Sequence, residues 1–381
     1  VLARNFSCTV AVLRYQLLRE VLGAATLSLV LLTLVLVVGN IMTRFFYLLV
    51  SSDVPLWYLF EIFVLLIPFS LIFTLPWSLL TGILLALGRM SADQELVAIR
   101  AAGLSLGWLT APLVLLAIFL SLVNLLISTV VAPWCDARLR SMAYVLAGRN
   151  PAVLFEPRQV ISIFPGLRIW LEEKQGPYLK NVHVWELDER ENTLRSLRAK
   201  RAQIEADPTG ESILLTLWQA RIEERNPEDP RNLTKLRIGT RFEEAPVRIQ
   251  LAPMKQLAQK RRGLSSLRLD ELMERIWQGR TAREDFNFYP TLTEIQKRVA
   301  AALSPLALAL IGIPLGVHFH RRETSIGIAL SVAVALSYYF LLVFVETFKE
   351  RGAIYPELLI WLPNILVQTL GLWLCWRLSR W

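Results

Sequence analysis

The apolar and polar positions divide the chain into three parts. Charge-free runs occupy residues 21–43, 62–88 and 101–135, and again 299–317, 324–345 and 358–376. Between the two groups lies a long stretch holding most of the 41 Lys and Arg and 32 Asp and Glu. A helix rises about 1.5 Å per residue, so roughly 20 apolar residues cross the hydrocarbon of a bilayer. In lipid, a helix satisfies its own backbone N–H and C=O groups. The pattern predicts an α-helical membrane protein with six transmembrane helices arranged 3+3. Residues 1–135 hold helices one to three, 136–297 an inserted domain, and 298–381 helices four to six. The 101–135 run exceeds one crossing, so part of it is expected outside the hydrocarbon. Pro68 and Pro76 in the second helix, and Pro305 and Pro314 in the fourth, are expected to bend those helices.

The inserted domain alternates with period two. The signal runs through Val160–Phe164, Leu167–Leu171, Val182–Leu187, Ile213–Trp218 and Leu236–Phe242. Pro165-Gly166, Gly176-Pro177, Asp207–Gly210 and Asn226–Pro230 separate these runs as turns. Short strands with turn signals between them predict an all-β antiparallel sandwich, jellyroll or barrel. A helical segment is expected over about 264–279, with Asp270-Glu271 near its start and Gly279 near its end. Trp170, Trp185 and Trp218 are either core residues or the lining of an apolar groove able to hold acyl chains. The domain otherwise reads as a spacer or a docking surface.

Charge sets the orientation. Arg4, Arg14, Arg19, Arg89, Arg100, Arg321, Arg322, Arg377 and Arg380 fall on one side of the helices; Arg44, Lys349 and Arg351 fall on the other. The positive-inside rule then puts both termini in the cytoplasm and the large domain outside. The apolar run at 21–43 is too long for a signal-peptide core, so it is expected to stay as a helix. The net charge of +9 is shared between inner loops and domain, and is not read as nucleic-acid binding. Cys8 and Cys375 fall inside and Cys135 at the outer boundary, so no disulfide is expected.

Fuel-using chemistry is not visible. There is no P-loop, H-E-x-x-H or C-x-x-C pattern, and no metal or other cofactor is expected. His318 and His320 lie in a basic loop, without further ligands. Glu61 and Glu346 lie at run ends, and no charged relay sits near the midplane. Energy for transport would have to come from a partner. The loop after the second helix, about 90–104, is predicted to be a short amphipathic helix. In it Ser91 is expected as the N-cap, Asp93 and Glu95 in the first turn, and Gly103 at C′. Leu96, Ile99 and Gly103 share one face. The helix is either an interfacial connector or a coupling helix that inserts into an ATPase groove.

The segment MSADQELVAIRAAGLS resembles the cytoplasmic loop of the LptF/LptG (YjgP/YjgQ) permease family. RVAAALSPLALALIGIPLGVHFHRRETSIGIALS and Trp361-Leu362-Pro363-Asn364 resemble it too, so the likeness covers essentially the whole chain. The resemblance implies a transmembrane subunit of an ABC transporter in the bacterial inner membrane, without its own ATPase site. Such a subunit pairs with the other LptF/LptG-type permease, an LptB-like ATPase dimer and an LptC-like bitopic protein. It takes lipopolysaccharide through a periplasmic jellyroll to a periplasmic bridge. On this likeness Glu95 is the acidic position of the coupling helix, accompanied by Asp93, Leu96, Ile99, Arg100 and Gly103. Arg44 and Lys349 become expected contacts to lipid phosphates. The alternatives are a permease or adaptor for another lipid or lipoprotein export complex. Lipoprotein-releasing and macrolide-type permeases resemble a four-helix plan with the domain after the first helix, whereas here it follows the third.

Overall fold

A computed structural model describes residues 2–44, 56–149, 155, 157–161, 166–187, 193–206, 212–224, 237–250, 267–282, 288–318, 324–347 and 359–379. The helices are α1 (Leu2–Arg44), α2 (Leu56–Ala92), α3 (Glu95–Ala101) and α4 (Leu106–Leu126), then a π-helical turn at Ile127–Val131 and α5 (Ala132–Arg149). After the strands come α6 (Leu269–Ala282), α7 (Phe288–Ala302), α8 (Ser304–His318), α9 (Thr324–Glu346) and α10 (Leu362–Ser379). The chain divides into two compact units. One comprises Val1–Arg44, Phe60–Ala137 and Gly263–Trp381; the other comprises Phe45–Leu59 and Arg138–Arg262.

Five segments among the described residues, lying wholly or almost wholly in the first unit, are long and apolar enough to cross a membrane. They are Val12–Thr43, Trp57–Ala92, Leu106–Leu139, Thr291–His318 and Ile326–Val345. The sixth expected run folds as α10, which is more polar because it carries Asn364, Gln368 and Arg377. Lipid-facing positions stay apolar: Leu27, Leu31 and Val35 on α1, Leu115 and Phe119 on α4, and Phe340 on α9 are all exposed.

Proline creates a specific problem for such helices. It offers no N–H, so the carbonyl four residues earlier loses its helical donor. In water that carbonyl is hydrated; in lipid it needs a protein donor. Four prolines here leave Ile72, Trp108, Ala301 and Leu310 in that position, and a side chain from another helix reaches each one. Asn124 Nδ2 donates to Ile72 O at 3.3 Å and to Ala301 O at 3.1 Å. These are the carbonyls freed by Pro76 and Pro305. Ser304 Oγ adds a bond to Ala301 O at 2.6 Å. Arg14 Nη2 donates to Trp108 O at 2.7 Å, freed by Pro112. Cys375 Sγ lies 3.8 Å from Leu310 O, freed by Pro314. Pro305 also coincides with a break between α7 and α8 at Leu303. Close to that break, Tyr338 Oη donates to Asn364 Oδ1 at 2.6 Å, and Asn364 Nδ2 donates to Ala300 O at 2.6 Å.

Small residues let the helices approach closely, as membrane packing favours. A Cβ on Gly82 would meet Val21 O at 2.6 Å, and one on Gly316 would meet Leu87 Cβ at 2.9 Å. Gly312 and Gly371 are similarly crowded, by Leu80 and by the Leu310 backbone.

The second unit holds one antiparallel sheet of seven strands: β1 (Val160–Ile161), β2 (Leu167–Trp170), β3 (Glu173–Gln175), β4 (Tyr178–Leu187), β5 (Thr193–Ala206), β6 (Ser212–Glu224) and β7 (Arg237–Gln250). The order is β1-β2-β4-β5-β6-β7, with β3 pairing β4. Alternation breaks at one register line across three strands. Leu179 and Val182 are both buried, as are Ala199 and Ala202, and Leu217 and Ala220. Each pair is three residues apart, where period two would place them on opposite faces. Between them lie Asn181 (φ 49°) and Gln219 (φ 53°) in the left-handed region. The sheet is creased there, and residues from both sides of the crease join a single core with Phe155, Ile169, Val184 and Ile204.

The tryptophans do not sit in that core. Trp170, Trp185 and Trp218 are half-buried and alternate with the core residues Ile169, Val184 and Leu217. Trp170 and Trp185 flank the His183 ring at 5.3 and 5.8 Å. Burial, and next Arg198, hold the His183 pKa below its ordinary value. The unfolded chain therefore takes up this proton first as pH falls, so the contribution to stability is complete above about pH 6.5 and declines below it. His183→Gln is expected to reduce the difference in melting temperature between about pH 7.5 and 5.5. An unchanged difference would remove His183 as its source.

Two local expectations change. The helix expected over about 264–279 runs from Leu269 to Ala282, so it continues three residues past Gly279. β5 was not marked by alternation, yet it is the strand between β4 and β6.

Candidate functional site

The loop between α2 and α4 is tied by hydrogen bonds along its length. Ser91 is not an N-cap: α2 continues to Ala92, and Ser91 Oγ donates to Val317 O at 2.8 Å near the end of α8. The cap position belongs to Gln94, which reverses the chain in the left-handed region at φ 60°. Glu95–Ala101 then form the seven-residue α3. Gly103 does end it, at φ 81°. Gly103 N–H bonds Arg100 O at 2.9 Å, and Leu104 N–H bonds Ile99 O at 3.2 Å. That pair of bonds is a Schellman motif, and Leu104 packs against the core cluster that holds Ile99. Ser105 caps α4 by accepting from Trp108 N–H at 3.3 Å.

The letters Gly103-Leu104-Ser105-Leu106-Gly107 also satisfy the G-x-S-x-G pattern of hydrolases. That pattern acts at a strand-to-helix turn beside a catalytic histidine. Ser105 lies between two helices and is occupied as a cap, so the match carries no chemistry.

The predicted residues separate into two groups. Leu96 and Ile99 are buried in the same core cluster as Leu17, Val21, Ile83 and Ile313 of this chain. Arg100 is half-buried, with Nη2 3.5 Å from Leu378 O at the end of α10. Asp93, Glu95 and Gly103 are exposed. Between them, Val97, Ala98, Ala101 and Ala102 complete a small-residue outer face. The apolar side of α3 is thus an anchor, and the acidic side is available for contact. Neighbouring ties hold the base of the loop: Arg89 pairs with Glu20, and Arg14 lies over the Trp108 ring at 3.1 Å. Arg44 is the last residue of α1, and Lys349 lies outside the described residues.

The fourth candidate span reaches back beyond the charge-free run at 299–317 and so takes in ionisable side chains. It begins at Thr291. Glu294 and Arg298 are buried in it, 3.4 Å apart, and Arg298 Nη1 donates to Leu267 O at 2.8 Å. Each carries the opposite charge of the other, as buried ions require.

The family described as lipopolysaccharide export system permease LptF/LptG matches residues 15–377. The chain belongs to this family. It is 25% identical over 374 residues to the lipopolysaccharide export system permease protein LptF of Escherichia coli K12, covering 95% of this chain and 93% of that protein. The same figures hold for LptF of Escherichia coli O157:H7 and of Shigella flexneri. Membership makes this multi-pass membrane protein a permease of lipopolysaccharide export. Family and fold agree: apolar helices for the bilayer, and an inserted β domain.

Proposed function

We propose that this chain is one of two transmembrane subunits of an ABC transporter that extracts lipopolysaccharide from the inner membrane. A separate LptB-like ATPase dimer drives it through α3. The observation that carries the reading is the division of α3 into a locked apolar side and an exposed acidic side. Movement imposed on Glu95 and the alanine face passes directly into the core shared with α1, α2, α4 and α8. The termini then lie in the cytoplasm and the sheet in the periplasm. There the sheet hands lipid to a bridge that begins with an LptC-like protein, beside the other LptF/LptG-type permease. Arg44 and Lys349 meet lipid A phosphates at the outer end of the helices.

Glu95→Arg tests the coupling. Removing one partner of a charge pair that the interface buries costs about 2–5 kcal/mol, or at least roughly 30-fold in affinity, and reversing it costs no less. The variant is expected to insert normally and to lose copurification of the ATPase. Copurification at the wild-type level would refute the role of α3.

A further inference from the structure

We propose that a cavity beside α3 binds the headgroup of an anionic phospholipid from the leaflet on that side of the membrane. The cavity has a volume of about 540 Å³ and opens among α3, the end of α8 and the end of α10. Arg100, His318 and Arg377 line it above an apolar floor that includes Leu96, Pro314 and Leu374. Among the described residues, no carboxylate lines it. A guanidinium has five N–H donors in a planar fork suited to phosphate oxygens. Arg100 uses one on Leu378 O, and Arg377 lies 5.6 Å from the Trp373 ring. Both therefore keep donors for a ligand.

Basic residues at the C-terminal ends of α8 and α10 would also complement the helix dipoles. Dipole complementation needs no cavity, however, and no apolar floor. The depth favours a lipid over a soluble anion. Trp373 and Trp376 are exposed on α10, a position typical of the bilayer interface. The cationic rim then lies at headgroup level, with the apolar floor toward the hydrocarbon. Basic pockets between membrane helices on one leaflet bind acidic headgroups in this manner.

Native mass spectrometry of the full chain in detergent tests this, with phosphatidylglycerol, phosphatidylcholine and inorganic phosphate as separate probes. Wild-type chain is expected to retain phosphatidylglycerol in preference to phosphatidylcholine. Loss of one surface cation weakens such binding about fivefold, the effect expected for Arg377→Gln. Leu374→Trp, which fills the floor and keeps every charge, is expected to reduce it as well. Both variants are checked for an unchanged size-exclusion profile. Equal retention of the two lipids would overturn the proposal. So would full competition by inorganic phosphate, which would identify a soluble-anion site. Loss of ATPase copurification in Leu374→Trp, with phosphatidylglycerol retention unchanged, would assign the cavity to a protein partner and overturn it too.

Discussion

Replacing Asn124 with leucine is expected to destabilise the helical unit by about 1–2 kcal/mol. Leucine keeps the heavy-atom count and the branching of the asparagine side chain, so the contact shape is largely kept; the effect comes from two carbonyls. Ile72 O and Ala301 O lack their helical donors because Pro76 and Pro305 follow four residues later. Asn124 is fully buried and bonds both. Leaving a buried acceptor without a donor costs about 1–3 kcal/mol. Hydrogen bonds between membrane helices average nearer 0.6 kcal/mol, with a maximum of about 1.7. Ala301 O retains Ser304 Oγ, so most of the loss falls on Ile72 O. This assigns the cost to one proline. In the Asn124→Leu background, Pro76→Ala restores a backbone N–H at the missing position and is expected to recover at least half of the stability. The measurement is thermal unfolding in detergent, followed by fluorescence-detected size exclusion. Additive effects of the two substitutions would refute the coupling.

The same feature shows what was legible in the sequence. Charge-free runs announced the membrane helices because lipid tolerates little else at those lengths. The prolines were equally visible. Their consequence was not, because the partners Asn124, Arg14 and Cys375 are distant in sequence and unremarkable one by one. In the β domain, strands with clean alternation could be read directly. β5 could not: its buried positions are Leu197, Ala199, Ala202 and Ile204, small or widely spaced among arginines, and the crease shifts their phase. Of the two readings open for the tryptophans, core does not hold, because Phe155, alanines and branched residues fill it. In the loop after α2, the amphipathic pattern of Leu96 and Ile99 was legible, but the destination of that face was not. Periodicity identifies a buried side without saying whether a partner or the chain itself buries it. The Gln94 reversal had no sequence signal either, since glutamine is not a residue that favours positive φ.

Gly371→Leu is the second large effect, and its sign follows from what lies opposite. A Cβ at Gly371 would stand 2.7 Å from Leu310 C, 2.8 Å from Leu310 O and 2.9 Å from Ile311 N. These are backbone atoms and cannot rotate away, so α10 must move off α8. Overpacking of this kind costs about 1–3 kcal/mol, and the larger side chain belongs at the upper end. The displacement would also withdraw Cys375 from Leu310 O, the carbonyl freed by Pro314. Further along α10 it would loosen Leu378 from Arg100, which ties this helix to α3. Gly39 provides the contrast. A Cβ there would meet nothing within 4 Å, and replacing glycine by alanine inside a helix gains up to about 1 kcal/mol. Gly371→Ala is therefore expected to lower the melting temperature and Gly39→Ala to hold or raise it. Equal behaviour of the two alanine variants would mean that α8 and α10 do not rely on close backbone approach at this point.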